Sequence, residues 1–61
     1  MKRVELIRRI HATGSVLVRH GSKHDWYRNP ETGAYQAVPR HNEINERLAR
    51  RIIKQLSEPR E

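Results

Sequence analysis

An apolar repeat near the end of the chain limits the possible fold more than any other feature of the sequence. One aliphatic residue recurs at every fourth position, at Ile44, Leu48, Ile52 and Leu56. This spacing is close to the helical period of 3.6 residues and predicts an amphipathic helix with one face against a core. Ile53 widens the stripe, Asn42 is the predicted N-cap, and residues 57–59 are the predicted end of the helix.

A second amphipathic helix is predicted over residues 2–12, and Gly14 can end it in a left-handed conformation. Its expected apolar face contains Val4, Ile7 and His11, with Leu6 and Ile10 beside them.

Three β-prone segments lie between the helices and are separated by turn signals. The first turn is Gly21-Ser22, and the second is Asn-Pro-Glu-Thr-Gly at residues 29–33. The strands are predicted over residues 15–19, 23–28 and 34–38.

The resulting order α-β-β-β-α predicts a small α+β domain with two layers. Two helices pack on one face of a three-stranded antiparallel sheet, as in a double-stranded RNA-binding domain, and the other face is open to water. This likeness of fold does not by itself assign a function.

The size and composition of the chain limit the kind of site that it can form. With 61 residues, of which 34% are hydrophobic, the core is expected to be small and a deep cavity is not expected. The sequence has no cysteine, which excludes disulfides and thiolate-bound zinc. It also lacks an apolar run of about 18 residues and the apolar stretch of a secretory signal, so a cytoplasmic protein without a membrane span is expected.

The net charge of +6 is large for a domain of this size. Such an excess of Lys and Arg is typical of a protein that binds nucleic acid. A solvated basic face or an acidic protein partner would also account for it.

His24 is the first candidate for chemistry, because it follows the Gly-Ser turn among cationic side chains. Metal-free RNA cleavage needs a base for the 2′-hydroxyl proton and an acid for the departing 5′-oxygen, and histidine suits both tasks. The candidates for phosphate contacts are Lys23, Arg19, Arg28 and Arg40. Alternatively, His24 is only a strand residue hydrogen-bonded at a turn.

Strand alternation argues against a catalytic pair of His24 and Asp25, since neighbouring side chains on a strand point to opposite faces. Trp26 shares the face of His24 and could stack on a base, although it could equally be needed for packing. Tyr27 and Tyr35 are expected to be packing residues. Convergence of His20, His24 and His41 on a metal ion is a weaker alternative, since no recognisable ligand spacing is present.

Residues 38–43 lead into the last helix and offer a second region for RNA contact. Helix N-termini attract phosphate, and Arg40 and His41 lie next to the predicted one. The segment could equally be a capped loop without a binding role.

Three segments, taken in this order, resemble the HicA-type toxins, the RNA-cleaving halves of HicA–HicB toxin–antitoxin modules. The first is the helix of residues 4–10 leading to a short strand. Residues 19–30 read Arg-His-Gly-Ser-Lys-His-Asp-Trp-Tyr-Arg-Asn-Pro and are similar to the family's Gly-Ser/Gly-x-His segment with its aromatic residues and Asn/His-Pro turn. Residues 37–44 read Ala-Val-Pro-Arg-His-Asn-Glu-Ile and are similar to the family's Val-Pro-x-His-x-Glu pattern.

This resemblance covers nearly the whole chain and implies a single toxin domain over residues 1–61. It implies an mRNA interferase that needs no metal or other cofactor, with His24 as the catalytic histidine. A HicB-type antitoxin is the implied protein partner and would cover the surface around His24. The chain departs from the family at Lys23, where members often have a second histidine or a small residue. A non-catalytic RNA-binding module and a basic adaptor protein are the alternative interpretations.

Overall fold

The computed structural model describes residues 1–58 and confirms the predicted order of elements. In chain order these are α1 (Arg3–Ala12), β1 (Val16–His20), β2 (His24–Arg28), β3 (Tyr35–Pro39) and α2 (Glu46–Ser57). The predicted α+β class is therefore correct. No helix within this part of the chain is long and apolar enough to cross a membrane. The predicted stop at Pro59 lies outside the described residues.

The three strands form one antiparallel sheet with β2 in the middle. β2 and β3 pair in regular register, which places Pro39 opposite His24. The pairing of β1 with β2 is interrupted by a bulge between Leu17 and Arg19, which brings Arg19 opposite Trp26. An extra residue in one strand shifts which side chains share a face. The bulge thus places a cation beside the indole ring.

Both helices bury side chains against the sheet face that carries Tyr27 and Val38. The remaining buried apolar residues of this cluster are Leu6, Ile10, Ala34, Ile44, Ala49, Ile52 and Leu56. The predicted apolar face of α1 is wrong in part, because Leu6 and Ile10 are its buried residues and Ile7 is partly buried, whereas Val4 and His11 are exposed. In α2, Ala49 is fully buried, and Leu48 lies at the edge of the stripe with 37% of its surface exposed.

The prediction of Asn42 as the N-cap of α2 is wrong, because Asn45 has this role. The Asn45 side chain accepts hydrogen bonds from the backbone N–H groups of Arg47 and Leu48 at 2.9 and 3.2 Å. The Asn42 carbonyl instead accepts the N–H of Arg3 at 2.9 Å. Pairing with residues 1–3 therefore keeps residue 42 outside the helix, and the N-cap of α2 follows three residues later.

Candidate active site

A shallow, open cleft of about 330 Å³ lies where the loop between β1 and β2 meets the segment after β3. It is lined by Ser22, Lys23, His24, Arg40 and His41. Four of these are candidates from the sequence, and they come from two segments that are far apart along the chain. The antiparallel pairing of β2 with β3 brings the segments together, because the first residue of β2 lies opposite the last residue of β3.

The His24 side chain points away from the helices. In β2, Asp25 and Tyr27 are buried, whereas His24 and Arg28 are exposed and Trp26 is half-buried. This pattern confirms the predicted alternation and places His24 on the open face. No side chain of residues 1–58 hydrogen-bonds to the imidazole of His24 or of His41. Both rings are therefore available to a substrate that enters the cleft.

Asp25 points to the opposite side and is not a partner of His24. Its carboxylate accepts hydrogen bonds from Arg3 Nη2 at 2.6 Å and Arg40 Nε at 2.9 Å, and it lies 2.7 Å from His20 Nδ1. The Arg40 hydrogen bond, followed by the contact with His20, lowers the pKa of this carboxyl from its ordinary value of 3.8 to about 2. One buried carboxylate thus joins α1, β1 and the segment after β3.

Arg40 uses its guanidinium to hold the loop that precedes His24. Besides Asp25, it donates to the carbonyl oxygens of Gly21 at 2.5 Å and Ser22 at 3.2 Å. The planar fork of arginine suits several directed bonds of this kind. Arg40 therefore lines the cleft beside His24, and it also fixes the shape of the loop, which the sequence does not indicate.

Gly21 is required at its position by close packing. A Cβ atom there would lie 2.8 Å from the carbonyl oxygen of His24 and 3.1 Å from Nε1 of Trp26. The Gly21 N–H donates to the same His24 carbonyl at 2.7 Å. The turn before His24 is thus tight because residue 21 has no side chain.

The other predicted RNA-binding residues lie along the open sheet face, outside the lining of the cleft. The indole of Trp26 stacks on Tyr35 with ring centroids 4.9 Å apart. The guanidinium carbon of Arg19 lies 5.7 Å from the centroid of the same indole, at a distance typical of a cation–π contact. Arg28 is exposed two residues further along β2.

The alternative in which His20, His24 and His41 converge on a metal ion is not supported by their positions. His20 lies beside Asp25, on the opposite side of the strand from His24. Within residues 1–58, no cluster of three or more His, Asp or Glu side chains has the geometry to hold a metal ion.

Comparison with protein families identifies the chain. The family model described as the HicA toxin of bacterial toxin–antitoxin systems matches residues 4–57. The chain belongs to the HicA toxin family. The match covers α1 from its second residue, all three strands, α2 and every residue that lines the cleft. No curated protein and no solved structure matches the chain.

As a HicA toxin, the chain is the toxic component of a toxin–antitoxin pair, which implies an antitoxin partner. Two residues that shape the HicA cleft were missed as site residues in the sequence. Asp25 was considered only as a partner for His24, and its contacts with Arg3 and Arg40 join residues 22 and 15 positions away. At Gly21 the sequence indicates only a turn, and the close approach to His24 and Trp26 is visible only in the structure. The signal that could have found this network is strand alternation, which turns Asp25 away from the face of His24 in a chain rich in Arg.

The Asp25 network predicts a specific loss of stability in acid. A carboxylate whose pKa is lowered on folding stabilises the native state above its unfolded pKa, and this stabilisation disappears as the pH falls through the folded value. The contribution of Asp25 should therefore be complete above about pH 4 and fade toward about pH 2. The free energy of unfolding, measured with urea, should be higher for the wild type than for Asp25→Asn, and this difference should shrink as the pH falls through this range. Glu5, whose pKa is also lowered to about 2, titrates in both proteins and cancels in the difference. A difference in the free energy of unfolding that does not change with pH would contradict a stabilising role for the ionised Asp25 carboxylate.

Proposed function

We propose that this toxin is an mRNA interferase of a type II toxin–antitoxin system, and that it cleaves RNA by proton transfer at His24 without a metal ion. The observation that carries the proposal is the position of His24. Its exposed imidazole lies in a cleft with Lys23, Arg40 and His41, in a member of the HicA toxin family. A proton-transfer group next to cations is suited to a reaction at a phosphodiester.

The reaction begins with removal of the 2′-hydroxyl proton of RNA. The 2′-oxygen then attacks the neighbouring phosphorus, a new P–O bond forms, and the bond to the 5′-oxygen breaks. The departing oxygen takes up a proton, so the overall step needs no oxidant, reductant or metal. His24 carries out one of the two proton transfers, and the ammonium of Lys23 stabilises the charge that develops on the phosphate.

The open sheet face extends the binding surface beyond the cleft. His24, Trp26 and Arg28 alternate along β2 on this face, and a strand advances about 3.3 Å per residue. Arg19 and Arg28 are proposed to contact phosphates on either side of the cleaved bond. The Trp26 ring, stacked on Tyr35, offers an aromatic surface to a base.

The proposed protein partner is a HicB-type antitoxin that covers the cleft. This assignment comes from the family, since a toxin of such a pair needs an inhibitor. The alternative function is a non-catalytic RNA-binding module that uses the same basic face. The net charge of +6 supports either function, whereas the exposed imidazole in the cleft and the family match favour cleavage.

Expression in a bacterial host tests the proposed function. Wild-type protein and His24→Ala should be produced to equal levels from an inducible promoter. We expect growth arrest and mRNA fragmentation with the wild type alone, and relief when the product of a neighbouring HicB-like reading frame is co-expressed. Equal arrest by both proteins, with intact mRNA, would favour the RNA-binding module instead.

A further inference from the structure

The cleft contains two imidazoles, whereas RNA cleavage by the proposed route needs two proton transfers. Pro39 is the register partner of His24, and His41 follows Pro39 by two residues. Paired residues on adjacent strands lie about 5 Å apart, and the two residues from Pro39 to His41 span at most about 7 Å. The separation of the two backbones is thus of the order of 10 Å, within the reach of two side chains that contact one phosphodiester.

The residues on either side of His41 are held in place, whereas the His41 side chain makes no hydrogen bond within residues 1–58. On one side, the guanidinium of Arg40 is tied to Asp25 and to the carbonyl oxygens of the loop before His24. On the other side, the carbonyl of Asn42 accepts the N–H of Arg3. The imidazole itself is exposed. This combination of fixed neighbouring residues and an unbonded ring is suited to a group that acts on a substrate.

We propose that His41 is the second proton-transfer group of RNA cleavage. The proposal rests on the function proposed above and assigns the role left open there. One imidazole accepts the 2′-hydroxyl proton while the 2′-oxygen bonds to phosphorus. The other, protonated, gives its proton to the 5′-oxygen as the bond between phosphorus and that oxygen breaks. The proton gained by the first ring balances the one lost by the second, and exchange with water restores both.

Removal of a catalytic His41 should lower the cleavage rate, whereas removal of a simple phosphate contact should weaken RNA binding. His41→Ala should lower the single-turnover cleavage rate by about 10²-fold or more, which is typical of a lost general acid or base. The Kd for RNA should change by less than about threefold. His41→Lys, which retains a cation, should not restore the rate. A phosphate contact would give the opposite result, with weaker binding in the alanine variant and recovery in the lysine variant.

A substrate with sulfur in place of the bridging 5′-oxygen provides the decisive measurement. A thiolate leaves without needing a proton, so a variant that lacks the general acid should regain activity on this RNA. We expect one of His24→Ala and His41→Ala to be rescued and the other not. Rescue of neither variant or of both would overturn the proposal.

Two controls separate this proposal from the one on which it rests. His11→Ala removes an imidazole that packs edge-on against Tyr27 on the helix side of the sheet, and it should cleave at the wild-type rate. If His41→Ala retains full activity while His24→Ala has none, only the role of His41 is wrong. If His24→Ala also retains full activity, the proposed function itself is wrong.

Discussion

Replacing His24 by alanine is expected to lower the rate of RNA cleavage by about 10²- to 10⁴-fold, the usual contribution of a positioned general acid or base. The affinity for RNA should change little, because the cations of the cleft and of the sheet face remain. The exposed ring makes no hydrogen bond within residues 1–58, so folding should be unaffected. Single-turnover cleavage and fluorescence anisotropy on the same RNA measure the two quantities separately.

The comparison of His24→Ala with the wild type needs a control variant at a basic residue outside the proposed site. Arg51 lies on the exposed side of α2, and Arg51→Ala removes one positive charge without touching the cleft. It should cleave at nearly the wild-type rate. If His24→Ala weakens binding and cleavage by the same factor, His24 is a binding residue and proton transfer must be assigned elsewhere.

Gly21→Ala is expected to have the second largest effect, although the change adds only one methyl group. The new Cβ would meet the backbone oxygen of His24 at 2.8 Å, and the backbone cannot move aside as a flexible side chain does. The turn must shift, and with it the imidazole. Overpacking of this kind costs about 1–3 kcal/mol of stability. A displacement of about 1 Å at a reacting group can lower a rate by about 10²-fold.

Fluorescence reports this displacement directly, since Trp26 is the only tryptophan of the chain and contacts the same site. We expect a changed emission spectrum together with slower cleavage. Gly33→Ala is the matched control. Gly33 lies in the turn between β2 and β3, at the opposite end of the hairpin from His24. A Cβ there meets no atom of residues 1–58 within 4 Å apart from its chain neighbours, but the φ of +79° makes a side chain strained. It should lower stability and leave the cleavage rate of the folded protein unchanged. Equal activity of Gly21→Ala and wild type would show that the tight turn does not position His24.

The elements of the fold were predictable from the sequence because their signals are local. The four-residue repeat of α2 and the Gly-Ser turn depend only on neighbouring residues. The errors occurred where distant segments decide the outcome. Asn42 has the chemistry of an N-cap, but its carbonyl is bonded to Arg3, 39 positions earlier in the chain. The bulge between Leu17 and Arg19 depends on pairing with β2 and has no signature in β1 alone.

The same distinction applies to the candidate site. Alternation along β2 correctly placed His24 and Trp26 on one face and Asp25 on the other. His24 and His41 line the same cleft because of the register of β2 and β3, and this register could not be predicted from the sequence. The role of Arg40 as a brace for the loop likewise depends on a three-dimensional contact with Asp25. The catalytic and RNA-binding roles of these residues remain predictions.

The central claim is that this HicA-family toxin cleaves RNA through the 2′-hydroxyl group by means of His24. The most direct measurement is the chemistry of the new RNA ends, produced by purified protein in the presence of EDTA. The account predicts 2′,3′-cyclic phosphate and 5′-hydroxyl ends, no cleavage of the same RNA with 2′-deoxy nucleotides, and no ends from His24→Ala purified in parallel. Ends with a 3′-hydroxyl and a 5′-phosphate, or cleavage abolished by EDTA, would contradict it.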